Sequence, residues 1–87
     1  MKKYYLITIS YDSVNQVSGV RTQCISSCIC YCVDTSDILL IIHKENKSLI
    51  EKGWLQNYAI IRTELIGFAK AKELSHALNM RIYGDTK

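Results

Sequence analysis

Residues 4–11, near the start of the chain, alternate between two sets of side chains. The odd positions are Tyr5, Ile7, Ile9 and Tyr11, and the even positions are Tyr4, Leu6, Thr8 and Ser10. A period of two is typical of a β-strand, and here both faces of the strand carry bulky side chains. We therefore predict a strand, followed by a polar turn over residues 12–16.

Residues 17–33 fit two different patterns. A helix is favoured by the spacing of Val17, Val20, Cys24, Cys28 and Tyr31. However, the segment is rich in Val, Thr, Ile, Cys, Ser and Tyr, which are modest or poor helix formers. We therefore predict a strand from about residue 22, which places all four cysteines at even positions on one face. A helix is kept as the alternative.

The next apolar run, residues 38–44 (ILLIIHK), follows a short polar segment at residues 34–37. Polar clusters of this kind form turns between strands. The pattern predicts a turn at residues 34–37 and a buried strand at residues 38–44. That strand would return antiparallel to the cysteine-rich strand.

Residues 48–78 contain signals for two helices and one further strand. Residues 48–51 match a capping box, which would begin a short helix that Gly53 ends. Residues 58–66 (YAIIRTELI) have the pattern of a strand, and Gly67 separates them from a helix at residues 68–78. The inward stripe of that helix is Phe68, Ala71, Leu74, Ser75 and Leu78.

Residues 79–84 carry signals for a helix stop and a last strand. Asn79 suits the left-handed position after a helix, and Met80 suits the apolar contact that follows it. Residues 81–83 would form a short strand closed by Gly84, which implies a crossover to a parallel neighbour. Together the elements predict an α+β fold in one domain, residues 1–87. It would have a mainly antiparallel sheet of four or five strands, with one or two helices packed on one face.

The composition predicts what the domain contacts and in which compartment it lies. Of its 87 residues, 48% are hydrophobic and 22% are charged, as in compact globular domains. The apolar share is high for so small a domain, so we expect a protein partner or a second copy in a homodimer to cover part of it. Polar residues interrupt the apolar run after Lys2 and Lys3, unlike a signal peptide, and no apolar run could span a membrane. We expect a cytoplasmic protein with reduced thiols and no membrane association.

The four cysteines, spaced C-x3-C-x-C-x-C, are the most prominent candidate chemistry. Neighbours on one face of a strand lie roughly 6.5–7 Å apart, which is too far for a disulfide or for tetrahedral zinc with Zn–S bonds of ~2.3 Å. Free cysteine packs as a small apolar side chain, so we interpret the segment as core and expect no cofactor. The predicted pairing of strands 22–33 and 38–44 sets Cys28 opposite His43. This pair is a weak candidate for a metal site or an activated thiolate.

No group of residues in the sequence is typical of catalysis. The four glycines stand singly, so the chain has no Gly-rich phosphate loop. No serine, histidine and acidic residue are placed to suggest a nucleophile with its base. We therefore expect a protein that is not an enzyme.

Aromatic residues favour a function in protein binding. Tyrosine and tryptophan offer large contact areas at low entropic cost, and for this reason they are common in protein interfaces. The protein-contact candidates are Tyr4, Tyr11, Trp54, Tyr58 and Tyr83. We expect a small cytoplasmic protein that acts by protein–protein contact, such as an inhibitor or accessory protein of a phage or mobile element.

The alternative function is nucleic-acid binding. The net charge of +3 permits attraction to phosphates without requiring it. Exposed tyrosines could stack on bases while basic side chains contact phosphates. The phosphate-contact candidates are Lys44, Lys47, Lys52, Arg62, Lys70, Lys72 and Arg81.

Overall fold

The structure, a computed structural model, describes residues 1–84 and contains four strands and three helices within them. A single 3-10 turn, Thr35–Asp37, precedes the first helix. In chain order the elements are β1 (Lys3–Val14), β2 (Arg21–Cys32), α1 (Ile38–Glu45), α2 (Lys47–Glu51), β3 (Leu55–Ile66), α3 (Phe68–Ala77) and β4 (Ile82–Tyr83).

The strands form one mixed sheet in the order β3-β1-β2-β4. β1 is central and pairs antiparallel with both β2 and β3, whereas β4 pairs parallel with β2 at Ile29 and Cys30. Asn15 shapes the β1–β2 turn because its side-chain oxygen accepts hydrogen bonds from the backbone N–H groups of Val17 and Ser18, both at 2.9 Å. Gly19, with φ of 75°, then returns the chain into β2.

Each face of the sheet is covered by its own helix. On the first face, Ile38 and Ile42 of α1 pack over odd-numbered β1 residues and even-numbered cysteines of β2. On the second face, Ala71 and Leu74 of α3 pack near Ile29 and Leu6. The predicted α+β class is confirmed, but the helices are divided between the two faces rather than packed on one. The reason is that β1 carries bulky side chains on both sides, and both sides need cover.

The predicted strand at residues 38–44 is wrong, because this segment forms α1. Ile38 and Ile42 are buried while Leu39 and Leu40 are exposed, which is the spacing of a helix. Asp34 supports the helical entry, since its side chain accepts a hydrogen bond from the N–H of Ser36 at 3.0 Å. A short apolar run does not by itself distinguish a buried strand from a buried helix.

Most other elements agree with the sequence patterns. The predicted strands at residues 4–11, 22–33 and 58–66 are present, although β1 extends to Val14 and moves the predicted turn at residues 12–16 beyond it. β3 begins earlier than predicted, at Leu55. Asn79 has the expected left-handed backbone, with φ of 52°, and β4 follows as predicted.

Two details of the helices differ from the predictions. The first turn of α2 follows Asn46 and has no side-chain cap, so Ser48 does not form the predicted capping box. Gly53 does end this helical region, with φ of 76°. In α3, only the middle of the predicted stripe is covered, and Phe68 and Leu78 are exposed because the helix is short relative to the strands beneath it.

Within residues 1–84, none of the helices has the length and apolar character needed to cross a bilayer.

Substitutions in α1 test its helical packing. Ile42→Ala should lower the free energy of unfolding by about 2–4 kcal/mol, because Ile42 is buried against the sheet. Leu40→Ala should change it by less than about 0.5 kcal/mol, since Leu40 is 70% exposed. Urea denaturation measures both values. Residues 40 and 42 would share a face in a strand, so similar losses for the two variants would contradict the helix.

Candidate functional site

A cavity of about 630 Å³ lies on the first face of the sheet, beside α2 and the chain that leads into β4. We call it the groove. The sheet contributes Ile9, Tyr11 and Cys28, the α2 region contributes Leu49 and Trp54, and residues 78–83 contribute Leu78, Arg81 and Tyr83. The groove therefore brings aromatic and aliphatic side chains together from three separate parts of the chain, with Cys28 of β2 beside them.

Trp54 is held at the groove by the backbone on both sides of it. Its N–H donates to the carbonyl of Leu49 at 3.0 Å, and its own carbonyl accepts from the N–H of Val14 at 2.9 Å. The Lys52 ammonium lies over the indole ring, 4.6 Å from its centroid. Trp54 is half-buried, so a rigid part of its ring system is available for contact without a large loss of conformational freedom.

Tyr83 is positioned by the short strand β4. The N–H of Ile29 donates to the carbonyl of Arg81 at 2.9 Å, and Tyr83 pairs with Cys30. Gly84 follows with φ of 79°, where a Cβ atom would lie 2.7 Å from the carbonyl oxygen of Tyr31. Only glycine fits this turn away from the sheet. Burial, together with the nearby Cys28, raises the pKa of Tyr83, so its hydroxyl stays protonated and able to donate a hydrogen bond.

Three of the four cysteines fill the core beneath α1, as the sequence predicted, whereas Cys24 lies outside it. Cys28, Cys30 and Cys32 are buried, Cys24 is half-buried, and all four are free thiols. The hydrogen bond with Cys28, followed by burial, raises the pKa of Cys30, and burial raises the pKa of Cys32. Cys30 and Cys32 therefore remain neutral packing groups at neutral pH, whereas the hydrogen bond with Cys30 lowers the pKa of Cys28.

The proposed pairing of Cys28 with His43 is wrong. Cys28 pairs with Ile7 of β1, whereas His43 lies on the exposed side of α1. The Nδ1 atom of His43 is 2.6 Å from the hydroxyl of Tyr58, so the histidine has a partner on β3 instead. In the described part of the chain, residues 1–84, no three His, Cys, Asp or Glu side chains are grouped as metal ligands.

Three of the five predicted protein-contact residues meet in the groove: Tyr11, Trp54 and Tyr83. Tyr58 lies outside the groove, where its hydroxyl is hydrogen-bonded to His43. Tyr4 also lies outside it and stacks on Tyr31, with ring centroids 4.4 Å apart. The sequence patterns missed two exposed leucines of the groove, Leu49 and Leu78. Exposed leucines in helical segments carry no local signal of a site, because only the tertiary fold brings them beside the aromatic residues.

The predicted phosphate-contact residues are distributed over several elements. Three of them lie beside carboxylates: Lys47 near Glu51, Arg62 near Glu64 and Lys70 near Glu73. Lys52 lies over Trp54, and Lys72 lies 5.6 Å from the ring centroid of Phe68. Arg81 borders the groove and Lys44 is on α1. The neighbouring carboxylates reduce the positive potential that three of these residues could offer to a phosphate backbone.

Comparison of this chain with protein-family models, with curated proteins and with solved structures finds no match.

The raised pKa of Cys30 predicts how stability depends on pH. A folded-state pKa above the unfolded value contributes stability below about pH 9, and that contribution is lost as the pH rises further. The unfolding free energy should therefore fall above about pH 9, by up to about 1.4 kcal/mol per pH unit for one thiol. Cys30→Ala should reduce this slope in urea titrations at several pH values.

Ile29→Val is the matched control, because it alters an equally buried neighbour that has no titratable group. It should lower stability by the same amount at every pH. An unchanged alkaline slope in Cys30→Ala would contradict the assignment.

Proposed function

We propose that the protein is a non-enzymatic binding protein whose groove holds an apolar segment of another protein. The observation that carries this proposal is the convergence of Tyr11, Trp54 and Tyr83 in one cavity with Leu49 and Leu78 beside them. Aromatic side chains fixed before binding contribute strongly to protein interfaces, since little freedom is lost when the partner arrives.

The chemistry of the groove favours a partner with apolar side chains and a few hydrogen-bonding groups. Leu78 is 65% exposed at its rim, which leaves apolar area for a partner to cover. The Tyr83 hydroxyl and the Arg81 guanidinium supply polar contacts beside this surface. Such a mixture of aromatic, aliphatic and arginine side chains is typical of the centre of a protein–protein interface.

The proposal includes a cytoplasmic site of action and no catalytic step. It places the chain among small inhibitors or accessory proteins, such as those of phages and mobile elements. The support for this class is the small size of the domain and its high apolar share.

Nucleic-acid binding is the second candidate, and one feature of the second face favours it. Tyr4 stacks on Tyr31, and Phe68 lies beside Tyr4 with ring centroids 5.8 Å apart. Lys2 lies over the Tyr31 ring at 5.5 Å, and Lys72 lies near Phe68. Aromatic rings flanked by ammonium groups are the features that proteins use to stack single-stranded bases.

Affinity capture with groove variants separates the two candidates. Leu78→Glu should weaken binding of the captured protein at least tenfold, because it sets a charge at the rim of an apolar contact surface. The captured protein is identified, purified and titrated against each variant. Nuclease treatment should leave the wild-type complex intact if the groove binds protein.

Leu40→Glu is the matched control, since Leu40 is a leucine of similar exposure, 70%, that lies on α1 and does not line the groove. It should bind like the wild type. Phe68→Ala alters the aromatic cluster of the second face and should also leave protein binding intact. Release of the partner by nuclease, or loss of binding only in Phe68→Ala, would overturn the groove proposal and support the nucleic-acid candidate.

A further inference from the structure

Half of the outer edge of β2 has no strand beside it in the described part of the chain. β4 pairs with β2 only at Ile29 and Cys30, so residues 21–27 form an open edge. The N–H of Ile29 points outward, because it donates to Arg81. Backbone groups alternate in direction along a strand, so the odd residues Arg21, Gln23, Ile25 and Ser27 direct their N–H and C=O groups at this open edge.

The opposite edge of the sheet, formed by β3, is protected in two ways. Its register with β1 shifts twice, between Thr8 and Ile9 and again between Ser10 and Asp12, and Asn57 has φ of 53°. Arg62 and Glu64 add charge along the same strand. Bulges and charged side chains are the features by which proteins prevent an edge strand from pairing with another chain.

The open edge of β2 has neither form of protection. β2 pairs with β1 over its full length without a register shift, so its backbone is regular. Residues 22–27 are Thr-Gln-Cys-Ile-Ser-Ser, with no charge and no proline. Ile25 is 67% exposed within this segment. A regular, uncharged edge with an exposed β-branched residue is suited to accept a further strand.

We propose that this edge pairs with the same edge of a second copy, antiparallel about a two-fold axis, so that the two sheets become one. The edge is bounded by the β4 pairing at one end and by the β1–β2 turn at the other. Pairing all of residues 21–27 with themselves puts the axis at the midpoint, Cys24. Gln23 then lies opposite Ile25 of the other copy, and Arg21 lies opposite Ser27.

The symmetric register explains why a second copy suits this edge. In every facing pair the two residue numbers are both odd or both even, so the paired side chains lie on the same face of the joined sheet. Arg21 is the only charged residue of the segment, and it meets a serine rather than another arginine. The outward groups of the odd residues would form about eight hydrogen bonds between copies, two for each hydrogen-bonded pair.

The edge borders the groove, because Ser26 and Ser27 line it, so the dimer would change how the proposed partner binds. A two-fold axis perpendicular to the sheet leaves both first faces on the same side. The two grooves would therefore open in the same direction, and a partner with two binding segments could hold both at once.

Backbone amide exchange measured over a range of protein concentrations tests the interface. The amides of Thr22, Cys24 and Ser26 face β1 and should exchange slowly at every concentration. The amides of Gln23, Ile25 and Ser27 should exchange fast in the monomer and at least tenfold more slowly when sedimentation shows a dimer. A monomer at all concentrations, or a dimer in which these three amides still exchange fast, would overturn the proposal.

Charge at the edge gives a second, independent test. Ile25→Lys should shift the chain to the monomer, because two lysines would approach each other near the axis. Ile61→Lys is the matched control on β3, where Ile61 is also exposed, and it should leave the dimer intact. A dimer that persists in Ile25→Lys but dissociates in Ile61→Lys would place the interface on the β3 edge and overturn the proposal.

The register predicts a specific cross-link. Two Cys24 residues would face each other in a non-hydrogen-bonded pair, with Cα atoms about 4.5 Å apart, within the range that a disulfide spans. Diamide should oxidise the two thiols to one disulfide, taking up two electrons and two protons. Cys24→Ser should remove the covalent dimer while the non-covalent dimer remains. A dimer that diamide does not cross-link would contradict this register.

These tests are separate from those of the groove. Leu78→Glu should lose the protein partner and keep the dimer, and Ile25→Lys should lose the dimer and still bind one partner per chain. Each proposal can therefore fail without the other.

Discussion

The structure depends on the burial of the central strand β1, which carries bulky side chains on both faces. Ile7 on the first face is fully buried, and so is Ile29 of β2 on the second face, next to Leu6. Burying apolar surface is the main favourable contribution to the stability of so small a domain. Both faces of the sheet must therefore be covered, and α1 and α3 cover one face each. The cysteines suit the first face because their small side chains fill the space under α1 without polar atoms that need partners.

The covering helices are much shorter than the sheet, and this mismatch creates the surfaces that can bind. A strand of 12 residues extends about 40 Å, whereas the eight residues of α1 extend about 12 Å. The uncovered part of the first face becomes the groove, closed at its sides by α2 and by the chain before β4. In the same way β4 has only two residues, so within residues 1–84 no strand pairs with residues 21–27 at the outer edge of β2.

Local patterns were reliable where a single period or a backbone requirement decided the outcome. The alternation in residues 4–11 predicted β1, and poor helix propensity correctly favoured a strand over a helix for the cysteine segment. Asn79 in the left-handed region and Gly53 after α2 were predictable because few residues tolerate positive φ. The run at residues 38–44 was assigned incorrectly. Five consecutive apolar residues fit a buried strand as well as a helix, and the exposure of Leu40 exists only in the folded chain.

The sequence predicted which residues are suited to the candidate site, but not which of them meet in the folded chain. Sequence alone indicated that Tyr11, Trp54 and Tyr83 are suited to protein contact. It could not show that these three meet while Tyr58 and Tyr4 lie elsewhere. That outcome depends on strand order and on the crossover that takes β4 to the far side of β2, which join residues distant in sequence. The amino-acid sequence determined most of the strands, the turns and the buried role of the cysteines, because these follow from local periodicity and from the size and polarity of each side chain. The tertiary structure alone decided which face each helix covers, where the groove lies and which edge stays open, because those features depend on contacts between distant segments.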